Sequence, residues 1–180
     1  MLAAIGQLCS TSNVSHNCKI ACDLITRAAQ AKASILFLPE ATDFIAPREQ
    51  VPALSQPLDQ PGGFVEALRE QAKASRVWLN VGVHERGPDN ENGRCWNTNL
   101  LIDERGEIVS LYRKLHLFDV TITGGTHILE SNTTMKGESI VEPCATPTGN
   151  RSSPSIVPLL SHPNFARALT SNGCRKSQSV

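Results

Sequence analysis

Three charged residues stand where an α/β chain tends to display its working groups. Glu40 closes the apolar run SILFLPE (34–40), Lys114 closes a second run in YRKLHLFD (112–119), and Glu130 follows an apolar pair in ILESNTTM (128–135). Carboxylates at such places move protons, and an ammonium group faces developing negative charge. The ends of buried strands are where these folds commonly present such groups. Each residue also has a plainer reading taken alone, a surface glutamate after a proline or a solvated lysine at a strand end.

Six cysteines, at 9, 18, 22, 95, 144 and 174, form no CxxC pair and no Cys/His spacing of the zinc type. Cys18 and Cys22 lie four apart near His16, a spacing that suggests either a metal or small buried side chains on one helical face. The second reading is the expectation, because free cysteine behaves as a small hydrophobe. Reduced thiols and a cytoplasmic location follow.

These residues need elements to hold them. MLAAIGQL predicts a first strand over 2–8; it lacks the basic start of a signal peptide. Ile20, Leu24 and Ala28 recur at one helical face, predicting a helix over 15–32 after the capping residues TSN. SILFLPE is continuously apolar and halted by Pro39, as a strand buried on both faces would be. After a proline- and glutamine-rich loop (47–61), Phe64, Leu68 and Ala72 mark a second helix over 62–75, and VWLNVGVHE another strand over 77–85. WNTNLLID and EIVSLYRK then read as a hairpin turning through Gly106. An irregular stretch (117–138) and a short strand in VEPCATPTG (141–149) complete the ordered pattern, with no internal repeat.

Charge and composition narrow the partners. Residues 1–150 carry 13 Lys+Arg against 17 Asp+Glu, so a basic nucleic-acid footprint is missing and no nucleic-acid partner is expected. No apolar run reaches the ~18 residues of a membrane span, and a soluble protein is expected. From 151 the chain changes: four basic residues, no acid, seven serines and three prolines in the last thirty positions read as a low-complexity, unstructured tail.

Taken in order, FLPEA, HERG, the hairpin ending YRKLHLFD, and an ES sixteen residues beyond Lys114 resemble the nitrilase superfamily of carbon-nitrogen hydrolases. The similarity covers residues 2–149 and is to the amidase branch that includes omega-amidase and deaminated glutathione amidase. It implies an α-β-β-α sandwich, here its N-terminal half or slightly more, with domain limits of 1–150 and the tail at 151–180. It further implies a Cys-Glu-Lys triad without cofactor or metal, a small-molecule amide substrate and family-like homo-oligomers. By motif, Glu40 corresponds to the general base, Lys114 to the triad lysine and Glu130 to the second active-site glutamate.

The resemblance also exposes a gap. The family's nucleophile belongs to a CYDxRFPE-type motif just after the turn at 146–149, which places it near residue 156, and residue 156 is isoleucine. No Cys-Tyr-Asp triplet occurs in the 180 residues. Cys144 comes too early, Cys95 lies on the wrong side of the lysine, and Cys174 falls in the tail. The expectation is a truncated family member, inactive as given, whose reading frame, splicing or gene model departs from the family at 150 or 151; a non-catalytic binding protein is the alternative.

Overall fold

The computed structural model describes residues 2–88, 93–121, 127–147, 149 and 151–152. Ile156, Cys174 and nearly all of the expected tail lie outside the described residues. Only Arg151 and Ser152 of that segment are described, as a strand set out below.

The N-terminal half alternates strand and helix as its periodicity requires. β1 (Leu2–Ile5) leads to α1 (Val14–Gln30), whose Asn13 side chain caps the first turn by accepting the His16 N–H at 3.0 Å. β2 (Ala33–Phe37) follows. The loop beyond it, expected to be irregular, contains a 3-10 turn (Arg48–Gln50) running into a short helix, α2 (Val51–Leu54), with Pro52 inside its first turn where no N–H is needed. α3 (Phe64–Ser75) then precedes β3 (Trp78–Arg86).

The second half is a β-ribbon, β4 (Cys95–Ile102) and β5 (Ile108–Arg113). Its turn is built by Asp103, whose Oδ1 accepts the N–H groups of Arg105 and Glu107 at 2.9 Å each. Gly106 takes φ 80°, a conformation that a side chain would disfavour. The stretch 117–138, read as irregular, contains the small hairpin β6 (Asp119–Thr121) and β7 (His127–Leu129), then β8 (Thr134–Met135). Strands of two or three residues are too short to show an alternation in sequence. β9 (Cys144–Ala145) pairs antiparallel with β10 (Arg151–Ser152).

One six-stranded sheet organises the molecule, in the order β1-β2-β3-β4-β5 with β8 also alongside β4. β1, β2 and β3 run parallel; β4 is antiparallel to β3 and β5, and β8 is parallel to β4. α1 and α3 pack against each other on one face. There Ile25, Leu68 and Ala72 meet Leu79, Val81 and Leu100 in the main core. Full burial of each larger side chain contributes about 1.5–3 kcal/mol.

The opposite face has another character. Strand alternation puts Asn80, Gly82 and His84 of β3 and Asn97 and Asn99 of β4 there. Asn80 and Asn99 exchange amide hydrogen bonds of 2.9 and 3.2 Å. Polar side chains on that face, at the end of the sheet where β3 finishes and β4 begins, make the site. Among the described residues β1 has a partner on one side only, and Ile5 is 85% exposed. Such an edge is what a sheet continued by further strands would present.

Candidate active site

Four strands deliver the functional side chains to one end of the sheet. His84 of β3 lies opposite Asn97 of β4, and the Lys114 N–H continues the β5 ladder by donating to Asn97 O at 2.9 Å. His84, Asn97 and Lys114 therefore form a row across three strands on the face away from the helices. Glu40 joins from the end of β2. Pro39 O accepts the Gly82 N–H at 3.2 Å and Gly82 O accepts the Thr42 N–H at 2.9 Å, which draws the chain at Glu40 against β3. A Cβ on Gly82 would stand 2.7 Å from Glu40 Cα, so only glycine lets the two strands come this close. Ala41, the next residue, bends away at φ 55°.

Lys114 is 4% exposed, and its Nζ lies 3.2 Å from Glu40 Oε1 and 3.0 Å from Glu130 Oε1, with Glu130 Oε2 at 2.9 Å. The Asn97 amide donates to Glu40 Oε1 and, at 3.2 Å, to Glu130 Oε1. Glu130 opens a single 3-10 turn (Glu130–Asn132) between β7 and β8. Its Oε2 accepts the Phe118 N–H at 2.6 Å, and its own N–H donates to Phe118 O at 3.3 Å, so the carboxylate is held from two directions. Asp119 braces the same turn: its Oδ1 accepts the Ser131 N–H at 3.0 Å, which holds the Asp119 carboxyl below its ordinary range. The structure thus brings Glu40, Lys114 and Glu130 together, although 74 and 16 residues separate the two carboxylates from the lysine.

Strand alternation decides which cation enters the site. Arg113, one residue before Lys114, points to the other face, where it pairs with Glu85 and lies 3.8 Å over the Trp96 ring. The Glu85 hydrogen bonds hold its guanidinium above the ordinary arginine range. The side chains of Glu40, His84, Asn97, Lys114 and Glu130 line a cavity of about 720 Å³. Phe44, Val51, Phe118 and Leu129 give it apolar walls, and Arg48 lies among them. Such a cavity, apolar with a few convergent polar groups, is the usual form of a small-molecule site. A second cavity of about 630 Å³ lies at the opposite end of the sheet, by Ser34 and Trp78, and contains none of these residues.

Among the described residues, the cysteines stand apart from the cluster. Cys95 is fully buried on β4 against Phe44 and Val51, and burial pushes its thiol up to about 11. Cys144, half-buried, lies on β9. Neither lines the cavity. Cys18 and Cys22 pack against the main core from α1. The hydrogen bond between them lowers Cys18 to about 7 and raises Cys22. Among the described residues, no group of three or more His, Cys, Asp or Glu is arranged to hold a metal.

Asn97 and the Asp43–His84 pair were not singled out from the sequence. An asparagine inside a strand has no reactivity to mark it, and His84 appeared only as a letter of HERG. Counting back from the hairpin turn at Asp103–Gly106 sets 97 opposite 113; an extra residue at Val109 shifts the β4–β5 ladder so that 97 meets 114, a shift that nothing in the sequence announced.

The carbon-nitrogen hydrolase family profile matches residues 2–175, running past the change of composition at 151. "Probable hydrolase nit2" of Schizosaccharomyces pombe is 40% identical over 151 residues, covering 82% of this chain and 53% of that protein. Human "deaminated glutathione amidase" is 40% identical over 152 residues, covering 82% and 46%. Among solved structures, the Caenorhabditis elegans NitFhit protein superimposes with a TM-score of 0.79 at 30% identity, over 96% of this chain and 41% of its own. An amidase from Nesterenkonia sp. AN1, captured with the acetamide moiety of fluoroacetamide on its active-site cysteine, shares the fold with a TM-score of 0.71 at 22% identity, over 96% and 61%. The chain spans about half the length of the curated relatives it matches. Among the described residues no helix is long and apolar enough to cross a membrane.

Proposed function

The chain belongs to the carbon-nitrogen hydrolase family, and on that premise we propose that its cavity is the carboxamide-binding part of an amidase site. Glu40 is the general base, Lys114 stabilises the oxyanion, and Glu130 holds the lysine in place. The observation that carries this reading is the buried Lys114 ammonium held between two carboxylates at the edge of a cavity.

The chemistry follows from the residue types. A thiol at neutral pH is mostly protonated, so attack on an amide carbonyl requires a carboxylate to take the proton and later return it to the departing ammonia. Glu40 makes that transfer, a reading supported by its position on the cavity wall. As the carbonyl oxygen gains charge, the Lys114 ammonium donates to it in a site partly shielded from water, where such a contact counts for most. Glu130 keeps the lysine aimed, and Asn97 holds both carboxylates. Water then releases the acid from the thioester.

The nucleophile is the part this chain does not supply at the expected position, where Ile156 stands. Loss of the nucleophile from such a unit typically costs several orders of magnitude in rate. As given, the chain therefore binds a terminal carboxamide of a small acid without releasing ammonia, which is also how a non-catalytic member of the family would act. Self-association into homo-oligomers and a cytoplasmic location complete the proposal. The test is to titrate the purified chain with glutaramate, following heat of binding and ammonia together. Binding with no ammonia above the buffer rate is expected. Ammonia release at enzymic rates would overturn the assignment of an absent nucleophile, and lack of binding would overturn the carboxamide pocket. Light scattering checks the self-association.

A further inference from the structure

HERG contributes a residue that the Glu40, Lys114 and Glu130 arrangement leaves without a task. The His84 imidazole lines the same cavity, in the cross-strand row with Asn97 and Lys114. Asp43 fixes it: His84 Nδ1 lies 2.9 Å from Asp43 Oδ1. The same carboxylate accepts the backbone N–H of His84 at 2.8 Å through Oδ2 and that of Phe44 at 2.9 Å through Oδ1. An ionised carboxylate has no proton to give, so Nδ1 carries the hydrogen. Nε2 is then the ring's remaining polar atom. The Phe44 ring stacks on the imidazole with centroids 4.2 Å apart and an interplanar angle of 20°, which sets its plane.

Pinning the loop after β2 does not require this ring. The two backbone N–H groups already bind Asp43, the buried Asn17 amide donates to Asp43 O at 2.8 Å, and the Thr42 hydroxyl donates to Pro39 O at 2.7 Å. The loop is secured without the imidazole, yet the imidazole is fixed in tautomer and plane in the cavity that Lys114 also lines.

We propose that His84 is a specificity-determining contact for the amide group, its Nε2 accepting one N–H of the carboxamide whose carbonyl oxygen faces Lys114. This rests on the carboxamide reading given above. Such a contact separates an amide from the acid of the same shape. A primary amide has two N–H donors, and a carboxylate has none and meets the Nε2 lone pair with its own. Sites that read a hydrogen-bonding group reject analogues lacking it, because the buried polar atom is then left unpaired. The preference also favours release of the acid once formed.

The test uses the whole chain at equilibrium with glutaramate and glutarate. Side-chain ¹⁵N NMR of the unaltered protein is expected to show Nδ1 protonated and the His84 Nε2 signal moving on saturation with glutaramate. The unaltered chain should prefer glutaramate over glutarate by about tenfold, the worth of one hydrogen bond. His84→Phe, which keeps the stack on Phe44, should lose that preference, and His84→Gln, which retains an acceptor oxygen, should keep most of it. An Nε2 signal that stays still while Asn97 and Lys114 side-chain signals respond overturns this inference and leaves the carboxamide site standing. No response from any of the three overturns both. Equal preference in His84→Phe and the unaltered chain also overturns the inference. If His84→Phe does not fold, the NMR titration of the unaltered chain decides alone.

Discussion

Replacing Lys114 by methionine removes the only cation within hydrogen-bonding reach of Glu40 and Glu130 among the described residues. Both carboxylates lie close to the same Nζ, 3.2 and 2.9 Å away, so the shared contact keeps their oxygens within about 6 Å of each other. At an effective dielectric near 20, two negative charges at that spacing repel by about 3 kcal/mol. Stripping one partner from a buried ion pair costs about 3–5 kcal/mol, and Lys114→Met is expected in that range. The sharper test is a sign reversal. In the native background Glu130→Gln takes a partner from a buried ammonium and destabilises; with Lys114→Met present, it relieves repulsion and recovers about 2–3 kcal/mol. Urea unfolding of the four chains, followed through Trp78 and Trp96, measures the cycle. A Lys114→Met cost within about 0.5 kcal/mol, or a Glu130→Gln effect of the same sign in both backgrounds, would refute the coupled cluster and leave a solvated strand-end lysine.

Three further outcomes are expected. Gly82→Ala sets a methyl group 2.7 Å from Glu40 Cα and 3.2 Å from Pro39 O, backbone atoms that cannot yield cheaply; urea midpoints should show a loss of about 1–3 kcal/mol, with weaker glutaramate binding. For Asp103, burial opposes the charge but is outweighed by the Glu107 N–H and by Arg105, so its folded carboxyl titrates below the ordinary range. Its contribution, about 2 kcal/mol against Asp103→Asn, is full above the unfolded value near ~4 and is lost as pH falls through the lowered folded value; melting curves of the two chains should converge in acid. Cys95, pushed up to about 11 and fully buried, should resist iodoacetamide at pH 8 while exposed Cys9 is alkylated, as peptide mass analysis would show.

How much of this was legible beforehand depended on whether a residue's neighbours are local. SILFLPE announces a buried strand and its end in seven residues, so Glu40 was readable as displayed. The conformation that aims it was not, because Ala41 at φ 55° is imposed by contacts with β3. Lys114 was readable for the same reason as Glu40, and alternation explains why Arg113 beside it faces Glu85 instead. Glu130 had only the apolar pair before it as a local signature. Its position depends on the β6–β7 hairpin and on the Phe118 N–H, in strands too short to impose a period on the sequence. Asn97 and His84 depend wholly on register. The Asp103 side chain and Gly106 at φ 80° close the hairpin, and the extra residue at Val109 shifts the ladder so that 97 meets 114. A one-residue slip there would turn Lys114 toward the helices and separate the two carboxylates from their common donor. The tight turn, far from the cavity in sequence, is therefore part of what builds the site. Asp103→Asn should accordingly loosen glutaramate binding as well as the fold, whereas an equally destabilising change beneath the helices, such as Leu68→Ala, should leave the affinity of the folded fraction unchanged.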